Sequence, residues 1–217
     1  ATVLSIAPTE VTANSKPRIL VALDHCLLWT VEMRTLLDRV AERAEVDRDS
    51  ITVFFSHTHG AGLMGLERCE LPGGDLIPQY LDDMASAIAR LARDAMTKSQ
   101  PAFVSYGTGR CSLATNRDYF DADRGGYVCG FNPDGIADDS IVVARVTDES
   151  GSTLATIINY ACHPTTLAWD NTLISPDYVG AMREVVERAT DAPCFFIQGA
   201  SGDIGPREGF VGDVTVA

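Results

Sequence analysis

The chain contains four histidines, His25, His57, His59 and His163, and imidazole is suited both to holding a divalent transition metal and to moving protons near neutral pH. His57 and His59 are separated only by Thr58, so an extended chain turns both rings to one side. His163 lies far along the sequence and meets them only through the fold, which is not zinc-finger spacing. A catalytic zinc site takes about three protein donors with one position left open. The trio is therefore a candidate metal set, alongside two competing readings: a metal-free catalytic histidine, and histidines held structurally by hydrogen bonds.

Each of these residues falls where a strand-like run stops. The apolar run from Arg18 to Leu23 ends at Asp24 and His25, and its length and composition predict a buried strand. Apolar residues Met33, Leu36, Leu37, Val40, Ala41 and Ala44 recur at helical spacing between Thr30 and Val46, with Thr30 as the expected N-cap. A second strand, Ile51 to Phe55, leads into Ser56-His57-Thr58-His59-Gly60, so strand, helix and strand predict a βαβ unit. A helix over Gln79 to Met96 and a strand over Pro101 to Tyr106 continue the alternation. The segment from Gly107 to Asp139 is rich in Gly, Asp, Asn and Pro without a sustained period, and its length predicts a functional loop. Strands at Ile141–Val146 and Thr153–Tyr160 flank Asp148-Glu-Ser-Gly-Ser152 as a hairpin. A helix near Tyr178 to Ala189 and a strand at Cys194 to Ile197 complete the order. The expected fold class is α/β, with a mixed, largely parallel sheet flanked by helices and an inserted antiparallel hairpin. Sites in such sheets gather beyond the carboxyl ends of the strands, so the loops 56–60, 161–165 and 199–206 are expected to converge.

Other residues carry weaker signals. Gly199-Ala-Ser-Gly-Asp-Ile-Gly205 follows a strand but lacks the GK[ST] ending of a phosphate loop; a tight turn, or an array of backbone N–H groups facing an oxyanion, remains open. Arg117 is either a solvated loop cation or a group that polarises a carbonyl. Asn132-Pro-Asp-Gly135 is a turn sequence, Asp177 reads as a helix N-cap, and Asp24 and Asp203 are placed to orient histidines from behind. The six cysteines form no CxxC pair and read as buried reduced thiols.

Composition narrows the partners. Seventeen Lys and Arg against 30 Asp and Glu give a formal charge of −13, which argues against nucleic acid or an anionic membrane as the main partner. No apolar run approaches the ~18 residues of a membrane span. The opening ATVLSIAPTE has no basic n-region, so no signal peptide is recognisable.

Taken together and in order, Ser56-His-Thr-His59, Asn116-Arg117, Asn132-Pro-Asp-Gly135, Asn159-Tyr-Ala-Cys-His-Pro-Thr165, Ser175-Pro-Asp-Tyr178 and Gly202-Asp-Ile-Gly-Pro206 resemble the neutral/alkaline, non-lysosomal ceramidase family. The likeness runs from about Arg18 to Asp213. It implies a single α/β domain over residues 1–217 that forms the N-terminal part of a larger catalytic domain. It also implies a zinc-dependent (Zn2+) amidase acting on a small-molecule, ceramide-like acyl amide. By the same resemblance His57 and His163 are metal ligands, His59 lies beside the reacting amide, and Arg117 matches the active-site arginine. The family's remaining ligands, a Glu and a Tyr much further along, fall beyond Ala217, so residues 1–217 alone are expected to be inactive. Where the family carries an active-site serine this chain has Gly205, which offers only a backbone amide to an oxyanion. A non-catalytic module of the same fold and a metal-dependent esterase are the alternative readings.

Overall fold

In the computed structural model the described residues are 1–10, 15–167 and 171–212; the expected end of the likeness at Asp213 lies outside them. They form three α-helices and eleven strands. The Arg18–Leu23 run is strand β2, buried along most of its length because nearly every side chain in it is apolar. It pairs in parallel with β3 (Ile51–Phe55), and α1 (Thr30–Ala44) crosses between them, which is the expected βαβ unit. Trp29, not Thr30, occupies the N-cap and makes no side-chain capping bond. Glu45 ends the helix in the left-handed region at φ 57°, its N–H reaching the carbonyls of Ala41 and Glu42.

Helix α2 (Ile77–Thr97) starts two residues before the predicted boundary, with Pro78 in its first turn, where a missing N–H costs nothing. Leu36 and Val40 of α1, Met84, Ala85, Ile88 and Ala89 of α2, and Ile19, Val21 and Leu23 of β2 make one apolar core. A second core gathers Ile158 and Tyr160 of β9 (Thr153–Tyr160), Cys194 and Phe196 of β10 (Cys194–Gln198) and Val179 of α3 (Tyr178–Thr190). β3 and β10 lie side by side where the two halves meet, and the rings of Phe54 and Phe195 pack edge to face at 5.9 Å.

The sheet arrangement corrects the expectation of a largely parallel sheet. Among the described strands only β2–β3 and β9–β10 pair in parallel. The strand β1 (Thr2–Ile6), unread in the sequence, pairs antiparallel with β2. β4 (Phe103–Arg110), β8 (Ser140–Thr147) and β9 run antiparallel in turn, giving the sheet order β10-β9-β8-β4. The physical reason lies in the connections: the short β8–β9 turn forces antiparallel pairing, and each parallel pair is joined by a helix, α1 or α3, that carries the chain back to the starting end of the sheet. The β8–β9 hairpin is the inserted one expected, with Asp148 accepting hydrogen bonds from the backbone N–H groups of Ser150 and Ser152 at 2.8 and 2.9 Å. The segment read as an irregular loop contains the end of β4 and three short strands, β5 (Ala114–Asn116), β6 (Asp118–Asp121) and β7 (Gly126–Cys129). β5 pairs with β11 (Ile204–Pro206), which brings the 199–206 loop against Arg117. No described helix is long and apolar enough to cross a membrane.

Candidate active site

The three expected loops do converge. The His59 N–H donates to the Pro164 carbonyl at 3.2 Å, and the His163 N–H donates to the Ile204 carbonyl at 3.0 Å. Ring centroids of His57 and His163 lie 4.6 Å apart, those of His57 and His59 5.3 Å, and those of His59 and His163 5.2 Å. The rings of His57 and His59 meet for a reason other than strand alternation. His57 is in the left-handed region at φ 64°, its N–H bonded to the His25 carbonyl at 3.0 Å. Thr58, fully buried, anchors the turn by donating to the Ser175 carbonyl at 2.7 Å and accepting from the Gly60 N–H at 3.1 Å.

Hydrogen bonds fix which ring nitrogen carries a proton. Nδ1 of His57 is 2.8 Å from the Cys26 carbonyl, and Nδ1 of His163 is 2.8 Å from the Ser201 carbonyl. A carbonyl only accepts, so both Nδ1 atoms carry a proton, and in a neutral ring so bonded Nε2 keeps the lone pair. This is the tautomer of a metal-ligating histidine oriented by a backbone carbonyl. Carbonyls thus do the orienting expected of Asp24 and Asp203. Asp24 instead pairs with Arg183 at 2.5 Å, and the Asp203 carbonyl accepts from the Arg117 N–H at 2.8 Å. His25 stands apart in role: its buried ring faces Tyr80, Nε2 to hydroxyl 2.6 Å, and its contribution to the cluster is its carbonyl.

The electrostatics favour the neutral form of His163 and His59. Burial, aided by the charges of Arg117 and the neighbouring imidazoles, pushes His163 down to about 4. Burial first, then His57 and Arg117, lower His59. Neutral imidazole is the metal-binding form. His59 is the most exposed of the three and so the one open to an arriving molecule, while His163 is buried.

Arg117 follows β5, and its guanidinium donates from Nε and Nη2 to the Gly202 carbonyl at 3.0 and 2.9 Å. This ties it to the loop that orients His163. Gly205 sits in β11 opposite Thr115. Bonds from Arg117 N–H to the Asp203 carbonyl and from Arg207 N–H to the Leu113 carbonyl flank that pair, and ladder alternation then turns the Gly205 amide toward Thr115. A Cβ at this position would lie 3.3 Å from Arg117 Cδ, so the glycine lets the arginine pass close to the strand.

Two groups named in the sequence had no site role assigned to them. Asn116, buried beside Arg117, accepts from the Asp118 N–H at 3.0 Å and donates to the Ile136 carbonyl at 3.2 Å, and the Asn132-Pro-Asp-Gly135 turn packs directly on it. Cys26, read only as a buried thiol, brings Sγ to 3.7 Å from His57 Nδ1. Donor atoms of Cys26, His57 and His59 all fall within 4.8 Å of one another. Burial raises the Cys26 thiol, and it stands on the Nδ1 edge of His57, whose proton is already committed to a carbonyl.

Fold and site together define an α/β chain whose imidazoles gather on loops beyond strand ends. The fold is that of the neutral ceramidases: the chain matches a ceramidase structure complexed with C2 at a TM-score of 0.70 and 21% identity, over 91% of this chain and 32% of that one. It also matches the neutral ceramidase from Pseudomonas aeruginosa at a TM-score of 0.67 and 20% identity, over 89% of this chain and 32% of that one. The chain therefore spans about a third of the length of either structure. No known-family model matches the chain, and no curated protein does.

Proposed function

We propose that this chain is the histidine-bearing part of a zinc-dependent, ceramidase-like hydrolase that cleaves the N-acyl bond of a lipid amide. The observation that carries the reading is the pairing of His57 and His163, ring centroids 4.6 Å apart, each with its Nδ1–H spent on a backbone carbonyl. That donor chemistry fits Zn2+, which takes imidazole nitrogen readily, and His57 and His163 would hold it. When bound, zinc polarises a carbonyl and lowers the pKa of a water to about 7.

In this reading His57 and His163 hold the ion. His59, exposed and with its basicity lowered, takes a proton from the attacking water and returns it to the leaving amine. Arg117 supplies the positive charge that an oxyanion needs, since the Gly205 amide faces the ladder. The chain has no hydroxyl at position 205, which leaves attack by water as the route these residues support.

The test is zinc stoichiometry and turnover in the longest available form of the protein, against a panel of N-acyl amides and esters. About one tightly held zinc with amide turnover supports the proposal. Zinc with ester turnover alone would move it to the esterase reading, and absence of zinc would leave a non-catalytic module, the reading that Gly205 favours.

A further inference from the structure

A helix cap needs only one acceptor and an extended backbone, and Asp177 departs from that on both counts. It is buried, and its backbone sits at φ 58° and ψ −154°, a region where glycine is at home and other residues are strained. Its Oδ1 accepts from the Tyr178 N–H at 2.7 Å, which is the cap, and from the Thr166 N–H at 3.4 Å. Its Oδ2 accepts from the Leu167 N–H at 2.9 Å. The strained turn is what aims the second oxygen away from the helix and into the loop that carries His163.

The same corner holds the other histidine loop. The Asp177 N–H donates to Ser175 Oγ at 3.0 Å, the Ser175 N–H donates to the Gly60 carbonyl at 2.9 Å, and the Ser175 carbonyl receives the Thr58 hydroxyl. Gly60 passes so close that a Cβ there would lie 2.7 Å from the Ser175 carbonyl oxygen. Residues 175–177 are therefore bonded on one side to the turn after His57 and His59, and on the other to the turn after His163.

We propose that Asp177 is a positioning residue for the imidazole cluster, its carboxylate clamping the 163–167 loop to the start of α3 so that His163 is held at a fixed distance from His57. This rests on the metal-centre reading above for its consequence, though not for its geometry. A carboxylate behind a ligand loop acts on affinity through ligand placement.

Asp177→Asn separates the clamp from the cap. Asparagine keeps an oxygen for the Tyr178 N–H but turns an NH2 group toward the Leu167 N–H, donor against donor. In the metal-free protein the substitution is expected to lower hydrogen-exchange protection of the Leu167 amide at least tenfold and to shift the His163 ring 15N signals, with the α3 amides unchanged. Titrated with Co2+ alone, it is expected to bind about 10- to 100-fold more weakly, with an altered d–d spectrum. Should the asparagine variant not fold, Asp177→Gly, free of backbone strain at these angles, carries the same measurements. Wild-type protection at Leu167 with unmoved His163 signals overturns the proposal. If the parent protein in its longest available form takes no Co2+, the metal-centre reading fails, while the metal-free signals still decide the role of Asp177.

Discussion

Tyr178, in the first turn of α3, donates its hydroxyl to the carbonyl of Cys162 at 2.8 Å, so the helix grips the peptide immediately before His163. The same carbonyl also receives Nε2 of Gln198 at 2.9 Å. Two donors from different elements on one buried carbonyl form a coupled unit. Tyr178→Phe alone is expected to cost about 1 kcal/mol, because the carbonyl keeps a partner. Tyr178→Phe combined with Gln198→Leu strands it and should cost more than the two single losses together. Thermal unfolding of the three variants measures this, and strict additivity would show that the carbonyl is not shared in that sense.

The placement of the three rings divides their labour. His57→Ala and His163→Ala each remove a carbonyl-oriented nitrogen and are expected to abolish tight zinc binding. In the longest available form of the protein, His59→Ala, which takes away the exposed ring, should retain the metal while lowering turnover by about 10²- to 10⁴-fold, the usual worth of a general acid–base group. Metal analysis after dialysis tells these apart. Equal zinc loss in all three variants would refute the division.

Stability should depend on pH in a stated direction. His163 lies at about 4 in the fold against an ordinary 6.5, chiefly through burial, and His59 and His25 are lowered for the same leading reason. Between those two pH values the unfolded chain takes up protons that the folded chain refuses, so stability falls as pH drops through this window. For His163 the loss should reach about 2 kcal/mol at the acid end, after allowing for solvent at the cluster's edge. The melting temperature of metal-free protein is therefore expected to be lower at pH 5.0 than at pH 7.5, and His163→Gln should flatten the difference. A higher melting temperature at the acid pH would contradict the buried neutral ring.

Gly135 closes a turn against Asn116, where an added Cβ would lie 2.4 Å from Asn116 Cγ. Gly135→Ala is thus expected to displace Asn116 and the arginine beside it, at a cost of about 1–3 kcal/mol. Gly107→Ala, with open space at the same test position, serves as the control. Indistinguishable melting curves for the two variants would sink the packing argument.

Gly205→Ser adds a hydroxyl beside Arg117, where its Cβ meets Cδ at 3.3 Å, a contact that a small shift of the arginine relieves. The fold and zinc affinity are expected to survive the change, with turnover altered by less than about tenfold if water attack is the route. A gain of several orders of magnitude would show that the reaction depends on that hydroxyl.

Much of this was legible in the chain itself. The apolar run of β2, the helical spacing of α1 and α2, and the Asp148 turn are local patterns, set by neighbours a few residues away, and each appears where periodicity puts it. The histidines could be suspected for the same reason, since strand ends can be read and polar residues placed there face a sheet's rim. What periodicity cannot carry is pairing. β1 and the strands within 107–139 are short and weakly patterned, and their antiparallel partners lie across turns or far along the sequence, so the sheet's direction emerged only from the tertiary structure. The 4.6 Å approach of His57 and His163, the carbonyls that fix their protons, and the strained corner at Asp177 are likewise products of long-range contact. Residue types and local spacing determined which groups were available for chemistry; bonds between segments remote in sequence decided which of them meet, because such bonds exist only once the chain has closed its loops.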